Sequence, residues 1–117
     1  MDVGIRRVYD PPEKNEGLRV LVDRLWPRGV RKDDLQYDLW EKDIAPTPAL
    51  RKWFGHDPGR WKDFHEKYRK ELGLPEAQDR LKAIAKEAGR RRITLLYGAR
   101  DPEHNHALIL AEAFKKL

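Results

Sequence analysis

Two short apolar runs rich in branched residues, Leu18–Leu25 and Ile93–Tyr97, stand far apart with a helix-patterned middle between them. Strands joined across helices pair in parallel, because a parallel pair needs a long crossover that a hairpin turn does not provide. The expectation is an α/β fold: a small, mostly parallel sheet flanked by about four helices in a single domain. Val3–Tyr9 is a further strand candidate and Leu35–Trp40 a short one. Asp10-Pro11-Pro12 through Gly17 reads as loop, since two prolines and a glycine interrupt any regular pattern.

Helix signals crowd the middle. Thr47-Pro48 offers a capping hydroxyl and then a proline suited to the first helical position, and Leu50, Trp53 and Phe54 form one apolar face. Asp57-Pro58 repeats the signal ahead of Trp61, Phe64, His65, Tyr68 and Leu72, and Gly73 ends that helix. Pro75 opens the next, whose stripe is Leu81, Ile84, Ala85 and Ala88, closed by Gly89. Asp101-Pro102 is expected to cap the last helix, with Ala107, Leu110, Ala111, Phe114 and Leu117 on its buried face.

In open parallel sheets the ligand crevice lies beyond the carboxyl ends of the strands. Asp23, Arg24 and Arg28 follow one such end; Arg100, Asp101 and His104 follow the other. We expect the two ends to lie side by side and form one pocket. Arg24 and Arg28 present planar forks of donors that suit phosphate or carboxylate, with Trp26 between them as a stacking ring. The alternative is that Arg24 pairs with an acid and Trp26 is core. His56 lies between two helices, either as a proton donor or ligand contact, or as a histidine bonded to a nearby carbonyl. His104 and His106 stand at the start of the last helix, where the helix dipole disfavours imidazolium and free N–H groups attract anions. Asn105 orients a substrate or bonds locally, and Tyr97 either donates its phenol to a ligand or is a half-buried aromatic. A metal reading would gather His56, Asp101, His104 and His106, but residues two apart on a helix point in nearly opposite directions. No metal site is therefore assigned, and the sequence names no cofactor. His65 sits on an aromatic helix face and reads as packing.

The chain of 117 residues contains no cysteine, which excludes disulfides, thiolate metal sites and thiol catalysis. It has neither an apolar run long enough for a membrane span nor an apolar leader, so a cytoplasmic protein with no membrane partner is expected. The formal charge of +5 favours anionic partners, yet 25 basic residues are interspersed with 20 acidic ones. Only Arg90-Arg91-Arg92 forms a tight basic cluster, and there is no helix-turn-helix, zinc-finger or RNA-recognition signature.

Three segments together resemble a known family: Arg19-Val20-Leu21-Val22-Asp23-Arg24-Leu25-Trp26-Pro27-Arg28-Gly29; Ala45-Pro46 with Leu50-Arg51-Lys52-Trp53-Phe54-Gly55-His56-Asp57-Pro58; and Thr94-Leu95-Leu96-Tyr97 with Asp101, His104, Asn105 and His106. They resemble the YeaO-like uncharacterised proteins, a short branch of the domain-of-unknown-function 488 group, over essentially the whole chain. The resemblance implies an α/β fold and a shared polar site without an established activity. Longer members of that group typically carry a cysteine where Tyr97 stands and Cys-His-Arg where Asn105-His106-Ala107 stands. Of these only His106 is kept here, so a thiol mechanism does not carry over.

The leading expectation is a cleft at the strand ends that binds an anionic small molecule, a nucleotide or sugar phosphate. Acid–base work there would fall to His56, His104 or His106, and substrate contacts to Arg24, Trp26, Arg28, Tyr97, Asp101 and Asn105. The alternative is a nucleic-acid-binding or regulatory module that uses the basic surface.

Overall fold

Every strand of the sheet runs parallel. The computed structural model describes residues 1–117, and its strands are β1 (Val3–Arg7), β2 (Leu18–Leu21), β3 (Leu39–Trp40) and β4 (Ile93–Tyr97). Their spatial order is β1-β4-β2-β3, so the last strand in sequence lies between the first two. Val3 pairs with Ile93 and Ile93 with Leu18, which carries the carboxyl ends of β1, β4 and β2 to the same edge.

β4 has the bounds of its apolar run, whereas β1, β2 and β3 are shorter than the runs that form them. Val8 and Val22 still donate to the Tyr97 and Leu96 carbonyls at 2.8 and 3.0 Å, but the chain then turns away. Leu35–Trp40 yields a strand only at Leu39–Trp40, because a turn closes from Asp34 to the Arg31 carbonyl and Leu35 goes into the core instead.

Side chains alternate across a strand, and the two faces of this sheet are covered differently. Val3, Leu18, Val20, Ile93, Leu95 and Tyr97 join one large core with residues of all four helices: α1 (Pro48–Phe54), α2 (Trp61–Leu72), α3 (Pro75–Ala88) and α4 (His106–Lys115). On the other face Val8, Leu21, Leu35 and Leu96 pack with Trp26, Val30 and Trp40. That second face is covered by the 22–38 loop between β2 and β3, which takes the place of a crossover helix.

Thr47 caps α1, its hydroxyl oxygen accepting from the Leu50 N–H, and Pro48 follows it. Gly55 ends α1 in the left-handed conformation. Asp57-Pro58 starts a single 3₁₀ turn, Pro58–Arg60, from which α2 continues. Pro75 and Gly89 bound α3. The last helix corrects the sequence expectation. Asn105 is its cap, through a side-chain oxygen that accepts from the Leu108 N–H, and α4 begins at His106. Asp101 instead closes a small turn, accepting from the Glu103 N–H at 2.9 Å. His104 therefore precedes the helix and His106 begins it. No helix is long and apolar enough to cross a membrane.

Candidate functional site

A cleft of about 410 Å³ opens at the carboxyl edge of the sheet, a volume within the range of small-molecule sites. The β2 end brings Asp23 to Arg28, the β4 end brings Gly98 to Arg100, and His104 to His106 lead into α4. Arg51 on α1 and His56 after it close one side, with Phe54 and Phe64 among the apolar wall residues. Tyr9, past β1, stands at the rim, its hydroxyl donating to the Arg28 carbonyl at 2.8 Å.

The strand ends are tied through Asp23. Its Oδ2 accepts the Gly98 N–H at 2.9 Å, bridging β2 and β4 directly beyond the sheet. A side chain at 98 would crowd this bond, because a Cβ there would stand 2.9 Å from the same oxygen and Asp23 would have to shift. Asp23 Oδ1 lies 3.4 Å from His106 Nε2 and has no hydrogen-bond partner, although it is sealed from solvent. Burial pushes the Asp23 carboxyl upward, against the opposing pull of His106 and the Gly98 N–H. Burial also pushes the His106 imidazolium downward, against the opposing pull of Asp23 and the Val22 carbonyl. Both shifts favour neutral forms.

Geometry places a proton on one nitrogen of His106. Its Nε2 is 2.9 Å from the Val22 carbonyl oxygen, and a carbonyl only accepts, so Nε2 carries a proton. In the neutral ring, which burial favours, Nδ1 holds the lone pair and makes no hydrogen bond within the protein. His106 lines the cleft, so this acceptor belongs to a cleft residue.

His104 is held differently. Its Nδ1 meets Asp101 Oδ2 at 2.8 Å, and its ring stands edge-on to Trp61 at 5.4 Å. Asn105, almost fully buried, also donates through Nδ2 to the Asp101 carbonyl at 3.0 Å, so one side chain fixes both the turn and the helix start. His56 adopts a left-handed backbone with φ of 55° directly after Gly55. A non-glycine residue there carries a conformational cost of roughly 1 kcal/mol, and the side chain stays exposed at the cleft.

Of the residues expected from sequence, Arg24, Trp26, Arg28, His56, His104, Asn105 and His106 all line this cleft. Tyr97 and Asp101 do not. Tyr97 points into the helix-side core, where burial raises its phenol pKa, and Asp101 acts on His104 and the turn. Arg24 is neither a free clamp nor an ion pair, since its Nε and Nη2 donate to the Pro46 and Ala45 carbonyls, each at 3.2 Å. Trp26 donates to the Val30 carbonyl and packs edge-on against Tyr37 and Trp40, so its ring chiefly holds the 22–38 loop. Asp23, Arg51 and Arg100 complete its charged lining. Asp23 and Arg100 were visible as polar residues at strand ends, whereas Arg51 sits on a helix whose pattern announces only its apolar face. No three histidine or carboxylate side chains gather closely enough to hold a metal ion.

A family model described as "Inactive DUF488-N3 subclade" matches residues 2–117. The chain belongs to this DUF488-N3i family. It is similar to the uncharacterised protein YeaO of Escherichia coli K12, 44% identical over 117 residues and the full length of both chains. It is also similar to the uncharacterised proteins Mb3100c of Mycobacterium bovis and Rv3073c of Mycobacterium tuberculosis, each 40% identical over 110 residues, covering 94% of this chain and 91% of theirs. No solved structure matches the chain significantly.

Proposed function

We propose that the protein binds an anionic small molecule of the nucleotide or sugar-phosphate class in the cleft at the strand ends. One observation carries this reading. Four arginines line the cleft, Arg24, Arg28, Arg51 and Arg100, against a single carboxylate, Asp23, which burial drives toward its neutral form. The side chains of Arg28, Arg51 and Arg100 are exposed and make no ion pair. Elsewhere Arg6, Arg19, Arg60, Arg80 and Arg92 each face an Asp or Glu. Uncompensated guanidiniums converging on a concave surface suit phosphate oxygens, which accept bidentate donors. The pairing of so many other arginines weakens the nucleic-acid reading, because it thins the basic surface that a nucleic-acid backbone needs.

Binding is supported over turnover. The family's description as inactive points the same way.

The test is calorimetric titration with inorganic phosphate, pyrophosphate and adenosine monophosphate, on the unaltered protein and on Arg28→Ala and Arg51→Ala. Each variant is expected to weaken binding by roughly tenfold or more, as loss of a charge-assisted contact does. Their melting temperatures should hold, because both side chains are exposed and unpaired. Absence of binding by the unaltered protein at low salt, or variants that bind as well as it does, would overturn the reading.

A further inference from the structure

The cleft has a second chemical pole. Its arginines are donors. His106 supplies an acceptor: in the neutral ring its Nδ1 is unprotonated, and among the cleft imidazoles this ring is the one held from behind by the strand junction. The Val22 carbonyl takes the Nε2 proton at 2.9 Å, and Asp23 Oδ1 stands 3.4 Å from the same nitrogen. Tyr68 packs edge-on to the ring at 6.2 Å and limits its rotation. Asp23 is in turn held by the Gly98 N–H, so the rigid junction of β2 and β4 supports the imidazole. A ligand that offered only an anion would leave this acceptor facing solvent or buried without a partner, and a buried acceptor without a donor costs affinity.

We propose that the ligand is a hydroxylated phosphate ester, whose phosphate meets the arginines and whose hydroxyl donates to His106 Nδ1. This rests on the anion-binding reading and adds the group that would separate one phosphate compound from another. His106 is then a specificity-determining contact, and Asp23 and Gly98 are positioning residues that act through it. The cleft volume near 410 Å³ accommodates a pentose phosphate as well as its anion. The distribution of charge gives the ligand its direction. Arg51 and His56 lie on the helix side and Arg28 and Arg100 on the loop side, while His106 sits at the base beside Asp23.

The experiment compares ribose 5-phosphate with tetrahydrofurfuryl phosphate, which keeps the ring and the phosphate but lacks the hydroxyls. Inorganic phosphate is the third probe. The unaltered protein should bind ribose 5-phosphate about three- to tenfold more tightly than the hydroxyl-free ester, as one net hydrogen bond implies. His106→Phe should erase that preference and keep the affinity for inorganic phosphate. Because this variant removes a donor from the Val22 carbonyl and can lose stability, ring nitrogen NMR of the unaltered protein provides a second readout. The His106 Nδ1 resonance should shift toward that of a hydrogen-bonded acceptor with ribose 5-phosphate, and stay in place with inorganic phosphate. If phosphate binds but the two esters bind equally and Nδ1 does not move, the hydroxyl contact is wrong and the anion site stands. If none of the three binds, the anion reading fails and this inference fails with it.

Discussion

Gly98→Ala is the sharpest probe of the junction beneath the cleft. The added Cβ would stand 2.9 Å from Asp23 Oδ2 and 3.8 Å from Pro27 Cβ; the second distance is ordinary contact and the first is not. Asp23 must retreat by roughly half an ångström to restore van der Waals distance. Its bond to the Gly98 N–H, now 2.9 Å, would then stretch past the length at which an N–H···O bond persists. Losing this bond to the Asp23 carboxyl costs about 1–2 kcal/mol. Alanine also restricts the unfolded chain, which returns about 0.4–1 kcal/mol, and Gly98 has no positive φ that alanine would resist. The net expectation is a loss near 1 kcal/mol, or about 4 °C in melting temperature for a domain of this size.

The double-mutant cycle with Asp23→Ala decides the cause. Without the carboxylate, the Cβ added at position 98 has no close neighbour except Pro27, so Gly98→Ala should become neutral or stabilising by a few tenths of a kcal/mol. Chemical denaturation of the four proteins measures both values. An equal cost in the two backgrounds would refute the argument, because the strain would then lie somewhere other than the contact with Asp23.

Two further perturbations test the same region. Asn105→Ala removes both the Leu108 cap and the donor to the Asp101 carbonyl and should cost about 1–2 kcal/mol; Asp101→Ala should cost clearly less, and the reverse order in denaturation would return the cap to Asp101. His106, held neutral by burial, has a folded pKa below its unfolded value near 6.5. Its contribution is therefore complete above that value and is lost as pH falls through the depressed folded pKa. Asp23 runs the other way: its raised pKa gives a contribution that is complete below about 3.8 and lost as pH rises through the folded value. Acidification from about pH 7.5 to 5 should thus lower the melting temperature through His106, and His106→Gln should flatten that slope; a slope unchanged in the variant would assign it to other groups.

The fold was largely legible because its signals are local and redundant. Branched apolar runs marked β2 and β4, and proline after a capping residue marked α1 and the turn before α2. The misplacements arise where local signals compete. Asp101-Pro102 carries the same Asx-Pro signal as Asp57-Pro58, yet it makes an isolated turn, because Asn105 is itself a good cap and is bonded back to the Asp101 carbonyl. Which of two adjacent caps prevails depends on where β4 delivers the chain, and that is a tertiary fact. Leu35–Trp40 shows the same limit: Leu35 is apolar because the loop buries it on the second face of the sheet, not because it extends a strand.

The cleft at the strand ends was legible in position, and the donors still free within it were not. Placing the pocket at the strand ends required only the parallel order of β2 and β4, which the helical spacer implies. Assigning roles required knowing which donors are already spent. Arg24 looks like an anion clamp in sequence, but it gives two of its donors to the carbonyls that lead into α1. Arg51 looks like a solvated helix residue, yet α1 turns it toward the cleft without a partner. The junction of Asp23, Gly98 and His106 ties the two strand ends together beneath the cleft. Tyr97 fills the core below, the Gly98 N–H fastens β4 to β2, and the orphaned Asp23 oxygen is kept beside the His106 imidazole. What this junction leaves facing the cleft is a set of exposed arginines without carboxylate partners, which is why affinity for an anion is the quantity to measure first.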